Sequence, residues 1–320
     1  MPFVTISKGR IQAQKLEYNL VDHCNLACRE CSHFSPFLRA HALPLATFAR
    51  DLTRLAEVYQ VQRLRFVGGE PLLNDDICAF VAAARNSGIT QEVEVVTNGV
   101  LLARVSDELL DRIDSLAVSV YPDRRPDDAL LEVTRERCRK FSVRMRVEWI
   151  DRFRKTQTVT PVDDPKLLDG IFRSCLIAHA WSCQTIYDGS FYLCSRPIYT
   201  DSFLAGMAQP PRDLRRADGV ALHEPRLLER LEAYLGSGTP LESCRHCLGT
   251  VGLYEPHTQL SSRERWRPTP TAESTAAKVD SARLRALLRW QRIANSLLRR
   301  LPSRRLSRAL AVAQTAFIGD

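Results

Sequence analysis

The sequence predicts an α/β fold with a parallel sheet, either open or rolled into a barrel, then a small cysteine-rich unit and a basic helical tail. Three observations predict it. Short β-branched or apolar runs alternate with helix-period stretches through the first half of the chain, the pattern of βαβ units. Most of the ten cysteines gather into two sets, one near the N-terminus and one beyond Asp164. Between Arg283 and Arg308 stand nine arginines and no acidic residue, in a chain whose formal net charge is +8, so the basicity belongs mostly to the tail.

Five runs read as strands: Leu16–Val21, Arg63–Gly68, Val93–Thr97, Leu116–Tyr121 and Ser142–Trp149. Helix-period stretches over Leu45–Gln60, Asp75–Asn86 and Asp127–Lys140 lie between them. In parallel sheets of this kind the chemistry sits at the C-terminal ends of the strands. Three cysteines follow the first run, GGEP (Gly68–Pro71) ends the second and TNG (Thr97–Gly99) ends the third. Ser119 and Tyr121 lie near the end of the fourth, so all four features are expected on one rim. After about Asp164 the rhythm changes. FRSCLIAHAWSCQTIYDGSFYLCSRP reads as a hairpin around Asp188–Gly189, a type I′ signal. ESCRHC (Glu242–Cys247) comes later, and the Ser, Thr, Pro, Ala and Arg of 261–281 read as a linker.

The 45% hydrophobic content is that of a soluble globular protein with a real core. No run approaches the roughly 18 apolar residues that span a bilayer. The first fifteen residues show no apolar signal region, so a cytoplasmic location is expected. Thiols stay reduced there, which points to ligands, reactive thiols or small buried hydrophobes rather than disulfides. Cys78 and Cys138 sit in helix-period stretches and read as packing residues.

In the stretch DHCNLACRECSHF, Cys24, Cys28 and Cys31 stand in C-x3-C-x2-C spacing. A structural zinc loop usually brings a second knuckle and four ligands. Three thiolates leave a tetrahedral ion one ligand short, whereas a [4Fe-4S] cubane on three thiolates keeps one iron open. CNLACREC, followed by GGEP at the end of the next strand, resembles the radical S-adenosylmethionine (SAM) superfamily over about residues 16–150. The resemblance implies a partial (β/α)6 TIM-like barrel and a [4Fe-4S] cluster on Cys24, Cys28 and Cys31. It implies that the open iron chelates SAM, whose reductive cleavage gives a 5′-deoxyadenosyl radical that abstracts hydrogen from substrate. It also implies that Gly68, Gly69, Glu70 and Pro71 line the SAM amino group, with Thr97, Asn98 and Ser119 toward ribose or carboxylate. An external reductant such as flavodoxin or ferredoxin would supply the electron. The residue before the last cysteine, often aromatic in the family, is Glu30 here.

Cys175, Cys183, Cys194, Cys244 and Cys247 form the second set. C-x13-G-x4-C followed fifty residues on by C-x2-C resembles the twitch domain, a shortened relative of the SPASM domain. That resemblance implies a second [4Fe-4S] auxiliary cluster on Cys175, Cys194, Cys244 and Cys247. A zinc site on the same four thiols is the alternative, since spacing alone does not separate the two. Cys183 is left over. It reads as a substitute ligand, as a buried bystander, or as a catalytic thiol giving a hydrogen atom to a substrate radical. An epimerisation needs such a donor; a dehydrogenation does not.

The expected domains are a radical SAM core over 12–165, a twitch-like unit over 166–260, a linker over 261–280 and a basic tail over 281–320. In the tail, Leu284, Leu287, Leu288, Ala294 and Leu298 share roughly one helical face. Its helix is read as lying on an anionic membrane surface, gripping an acidic partner, or docking on the body with its arginines solvated; no specific nucleic acid is expected. The resemblance points to a small carbohydrate or aminocyclitol substrate, with epimerisation or dehydrogenation as outcome. A peptide-modifying maturase and a non-catalytic iron–sulfur or zinc protein are the competitors, and GGEP at a strand end separates the last from an enzyme, because a carrier needs no SAM pocket.

Overall fold

The computed structural model describes residues 5–7, 9–266 and 274–300. A short strand β1 (Thr5–Ser7) precedes β2 (Arg10–Val21), and four βα steps follow. They run through α1 (Leu45–Ala56), β3 (Tyr59–Gly68), α2 (Ile77–Asn86), β4 (Thr90–Thr97), α3 (Asp107–Arg112), β5 (Ser115–Val120), α4 (Asp128–Lys140) and β6 (Arg144–Trp149). Strands β2 to β6 pair in parallel and in sequence order. The five expected strands are these five. β2 and β3 begin earlier than the apolar runs suggested, because Ile11 and Tyr59 also pair across the sheet. For the same reason the first helix stops at Ala56: Tyr59, read as helical, opens β3 and is fully buried. Asp127 caps α4 by accepting from the Ala129 N–H, and Ser106 caps α3 at the Leu109 N–H.

Period-two alternation makes the sheet two-sided. Leu16, Tyr18, Leu64, Phe66, Val93, Val95, Leu116 and Val118 join the main apolar core. Tyr18 packs against Phe48 of α1 at 4.3 Å and Phe80 of α2 at 6.2 Å, so the helices cover this face. The alternate positions carry charge: Glu17 on β2, Arg63 and Arg65 on β3, Glu92 and Glu94 on β4, Arg144 and Arg146 on β6. Arg65 pairs with Glu17 at 3.0 Å and Glu94 at 2.5 Å, and Glu92 takes Arg63 at 2.9 Å and Arg144 at 2.7 Å.

After β6 come β7 (Arg152–Arg154), α5 (Pro165–Ser174), α6 (Leu176–His179), β8 (Thr185–Tyr187), β9 (Ser190–Tyr192), α7 (Arg196–Gly206), α8 (Leu214–Asp218), β10 (Val220–Ala221) and α9 (Leu227–Gly236). β8 joins the free edge of β2 in parallel, and β9 and β10 extend the sheet antiparallel, giving nine strands in all with β1. Asp188 and Gly189 between β8 and β9 both have positive φ, 43° and 76°, as a type I′ turn requires. β11 (Tyr254–Pro256) pairs with β7 and is followed by α10 (Ser262–Trp266). Within the stretch read as a linker, Thr275 and Val279 are buried, and the Thr275 hydroxyl donates to the Thr160 carbonyl at 3.1 Å.

The basic tail helix, α11 (Ser281–Arg300), docks on α5 over its described part. Leu284 and Leu288 stand over Gly170, Leu287 is fully buried, and the Arg283 Nε donates to the Thr250 carbonyl at 2.9 Å. The leucines of the predicted apolar face are thereby used against the body. Nothing is described of Leu298's side chain or of 301–320, so those parts of the tail reading lie outside the described residues. Among the described residues, no helix is long and apolar enough to cross a membrane. Cys138 is buried in the main core and Cys78 packs against it.

Candidate active site

The three-cysteine loop leaves the end of β2 and is pinned at its base by Asp22. That carboxylate accepts from the hydroxyls of Tyr187 at 3.0 Å and Tyr199 at 2.6 Å and contacts His41 Nδ1 at 3.0 Å. One buried acid thus ties the loop to β8 and α7. From β3 the GGEP turn comes up beneath the loop. The Gly69 N–H donates to the Val21 carbonyl at 2.8 Å and the Glu70 N–H to that of His23 at 3.1 Å. A Cβ at Gly69 would fall 1.7 Å from the His23 oxygen, so only glycine permits this approach.

Glu70 is 0% exposed. Its Oε1 accepts from the Thr97 hydroxyl at 2.7 Å and the Leu72 N–H at 3.1 Å, and its Oε2 accepts from the Asn98 N–H at 2.8 Å. Burial pushes its carboxyl above the usual range, against the pull of those donors. The Glu70 side chain is therefore a strut between the two strand-end turns, and a ligand would meet this loop through its backbone. Asn98 completes the junction: its amide Nδ2 donates to Cys24 Sγ at 3.4 Å and to Asn25 Oδ1 at 2.6 Å. Gly68, Gly69, Glu70, Pro71, Thr97 and Asn98 are all brought to the cysteine loop. Ser119 lies one strand further on, hydrogen-bonded to Tyr121, whose hydroxyl burial pushes well above its ordinary range.

A second wall comes from a part of the chain that no local pattern pointed to. Gln259 sits over the loop, with its Oε1 accepting from the Ala27 N–H at 2.6 Å and its Nε2 donating to Cys28 Sγ at 3.5 Å. The same Nε2 is 3.3 Å from His257 Nε2, and the His257 ring stacks on Tyr121 at 4.7 Å. Burial pushes the thiols of Cys24 and Cys28 up to about 12, because a thiolate there loses its water. Iron that binds them must displace their protons. Glu30, at φ 60°, accepts from the Thr156 N–H at 3.2 Å and faces a cavity of about 390 Å³ lined also by Lys155, Glu255 and Lys278.

Cys175, Cys194, Cys244 and Cys247 line one cavity, with apolar side chains and Arg196 around them. The turn holding Cys175 is tied to the Cys247 loop by Thr250, whose hydroxyl oxygen accepts from the Leu176 N–H at 3.1 Å. Gly249, at φ 53°, leaves room for the Cys175 sulfur, which would lie 3.3 Å from a Cβ there. Burial raises the thiols of Cys175, to about 12, and of Cys194 and Cys244. All ten cysteines are free. Among the described residues no three His, Cys, Asp or Glu side chains converge as tightly as a single metal ion demands. The residues that could hold a metal group are Cys175, Cys194, Cys244 and Cys247 around the one cavity and Cys24, Cys28 and Cys31 at the rim.

Cys183 does not line that cavity. It stands on the charged face of the sheet, where burial first and then Glu17 push its thiol well above the ordinary range. His33 faces the same place: burial lowers it to about 4, and it feels Glu17, Arg196 and Arg65. Glu17 and Arg65, paired at 3.0 Å, lie near both Cys183 and His33 beside the cluster loop. The charged face they belong to was present in the sequence as the every-second-residue charges RLR, EVE and RMRVE.

Residues 18–162 match the family model of the Radical SAM superfamily, so that stretch of the chain is a radical SAM domain. Over 116 residues the chain is 33% identical to a GTP 3′,8-cyclase of Heliobacterium modesticaldum, covering 34% of this chain and 35% of that protein. Over 111 residues it is 31% identical to an S-adenosylmethionine-dependent nucleotide dehydratase of Selenomonas ruminantium, covering 34% and 39%. The matched segment is therefore little more than a third of either relative's length. Among solved structures, BtrN in complex with AdoMet and 2-DOIA superposes with a TM-score of 0.42 at 13% identity, covering 72% of this chain and 83% of that one. Streptococcus suis SuiB bound to its precursor peptide SuiA superposes with a TM-score of 0.33 at 21% identity, covering 42% and 32%.

Proposed function

We propose that this protein is a radical SAM enzyme that abstracts hydrogen from a carbohydrate or aminocyclitol-type substrate, leading to epimerisation or dehydrogenation. Cys24, Cys28 and Cys31 would hold the SAM-binding [4Fe-4S] cluster, and Cys175, Cys194, Cys244 and Cys247 a second one. The observation that carries the reading is the junction at Asn98. Its side chain reaches Cys24 Sγ while its backbone is clamped by Glu70, so three strand ends present one assembled rim. A carrier has no use for such a rim.

SAM bound there supplies, on one-electron reduction, the radical that takes a hydrogen atom. The chain's own residues do the rest. Gly69 lets the GGEP backbone lie against the cysteine loop, and Glu70 holds Thr97 and Asn98 in register beneath it. Gln259, backed by His257 and Tyr121, packs against the loop at Cys28. Glu17, Arg65 and His33, grouped beside the cluster loop, are hydrogen-bonding residues suited to a hydroxyl-rich substrate. Cys183, kept as a neutral thiol by burial and by Glu17, is in the form that can give a hydrogen atom to a substrate radical. A nucleotide is the second reading, favoured by the nucleotide chemistry named for the GTP 3′,8-cyclase and nucleotide dehydratase relatives and by the arginines of the charged face. An external one-electron reductant such as flavodoxin or ferredoxin belongs to the proposal. Membrane contact does not, since the body takes up Leu284, Leu287 and Leu288.

The test is anaerobic reconstitution with iron and sulfide, followed by dithionite and SAM. Formation of 5′-deoxyadenosine supports an enzyme, and none at all favours a carrier. With a turned-over substrate in hand, Cys183→Ala should keep both clusters and SAM cleavage but lose the epimerised product. Unchanged epimerisation in that variant removes the thiol from the mechanism.

A further inference from the structure

Arg196, at the start of α7, is 3% exposed, yet its Nη1 and Nη2 have no hydrogen-bond partner among the described residues. Burying an unpaired charge costs several kcal/mol, so a buried guanidinium is ordinarily found with an anion. Among the described residues no carboxylate is hydrogen-bonded to its Nη1 or Nη2. The Phe34 ring, at the end of the first cysteine loop, lies 4.8 Å from the guanidinium carbon. Among the described residues Arg196 is also the one charged residue lining the cavity of Cys175, Cys194, Cys244 and Cys247, and its charge acts on Cys175 and Cys194. Glu30, on the first cysteine loop, accepts from the Thr156 N–H at 3.2 Å.

We propose that the anion missing beside Arg196 is the iron–sulfur cluster of the four cysteines, and that the guanidinium donates N–H bonds to its sulfur atoms and raises its reduction potential. The inference rests on the reading that those cysteines hold a cubane. A cubane on four thiolates carries net negative charge, and reduction adds one more electron. A fixed cation with free N–H donors, in a cavity otherwise apolar, therefore stabilises the reduced form more than the oxidised one. The planar fork presents two donors to a surface of sulfur atoms, as a lysine cannot. Its stacking on Phe34 also locks the side chain, so little entropy is lost when the cluster arrives.

The experiment uses the full chain with Cys24, Cys28 and Cys31 changed to alanine, so that one cluster is left to observe. After anaerobic reconstitution, iron is counted and the cluster is titrated potentiometrically by paramagnetic resonance, with and without Arg196→Gln. About four irons per chain in the parent are expected; no iron there defeats the four-cysteine reading itself. With iron present, Arg196→Gln should move the potential to more negative values and Arg196→Lys should restore part of the shift. An unchanged potential in Arg196→Gln overturns the inference and leaves the cluster in place. Should the Gln variant hold no iron, the Lys variant decides. Iron retained with Lys supports a charge role, and iron lost with both assigns Arg196 to packing over Phe34 and overturns the inference.

Discussion

The two cysteine sites are built in opposite ways. At the rim, three thiols stand among polar partners: Asn98 donates to Cys24, Gln259 to Cys28, and Tyr121 and His257 stack close by. In the second site four thiols line an apolar cavity in which Arg196 is the sole charge. An incomplete donor set at the ends of strands leaves a coordination position for a ligand to enter and leave. Under the proposed reading, a complete set in apolar surroundings leaves none and suits the holding of an electron, so that ligand count and surroundings, rather than the thiol itself, would divide binding from storage.

The contrast breaks most sharply when each site is removed alone. Cys28→Ala and Cys244→Ala should each reduce iron from about eight to about four per chain. The first should bring 5′-deoxyadenosine down to background, and the second should leave its formation measurable. Equal loss in both would make the sites one functional unit. Next in size is Gly69→Ala. A methyl group 1.7 Å from the His23 oxygen forces the cysteine loop off the GGEP turn, at a cost of about 3 kcal/mol by the scale of overpacked sites. Thermal unfolding should show the loss, and iron should still load at the second site. A variant that unfolds at the wild-type temperature would contradict the close approach.

Glu70→Gln is milder and acts on geometry. The carboxylate accepts from three donors, and an amide turns one oxygen into a donor facing the Thr97 hydroxyl or the Asn98 N–H. About 2 kcal/mol is expected, with SAM affinity falling while the iron count stays. A loss of iron without a change in SAM binding would place Glu70 elsewhere in the design. Smallest is Glu264→Gln. The Ser261 N–H and hydroxyl and the Arg29 guanidinium hold that carboxyl near pH 2, at about 2 against an ordinary 4.5. A carboxyl depressed by folding stabilises the folded state above its unfolded pKa, and that contribution is lost as pH falls from 4.5 through 2. The variant should therefore be slightly less stable at neutral pH, converge with the wild type in acid, and show a flatter pH dependence of unfolding through that window. An unaltered acid limb would show that the Arg29–Glu264 contact does not persist in solution.

The core was legible because its strands are long enough to show period two and its helices long enough to show period 3.6. Leu16–Val21, Arg63–Gly68 and Val93–Thr97 carry both the sheet and the order of the motifs at its rim. What escaped is non-local or short. β8, β9 and β10 have two or three residues each, too few for a pattern, so their joining the β2 edge had no signal beyond the Asp188–Gly189 turn. Gln259 meets Cys28 from 231 positions away, held there by a backbone bridge between the two residues next to the β7–β11 pairing. Asp22 sits in the quoted motif itself, yet its partners Tyr187 and Tyr199 lie 165 and 177 residues on. The alternating charges of β3, β4 and β6 were visible but ambiguous, since alternation of that kind also describes a solvated face. Arg196 follows a cysteine by two positions and carries no pattern; its burial alone marks it.

The open corner of the rim site is tested most directly by paramagnetic resonance of the reduced, fully loaded protein before and after SAM is added. Two cluster signals are expected, and SAM should change the one that disappears in Cys28→Ala while leaving the one that disappears in Cys244→Ala as it was. If SAM leaves both signals unchanged, or if the rim thiols prove to hold a metal with no free position, the function proposed for this chain is wrong.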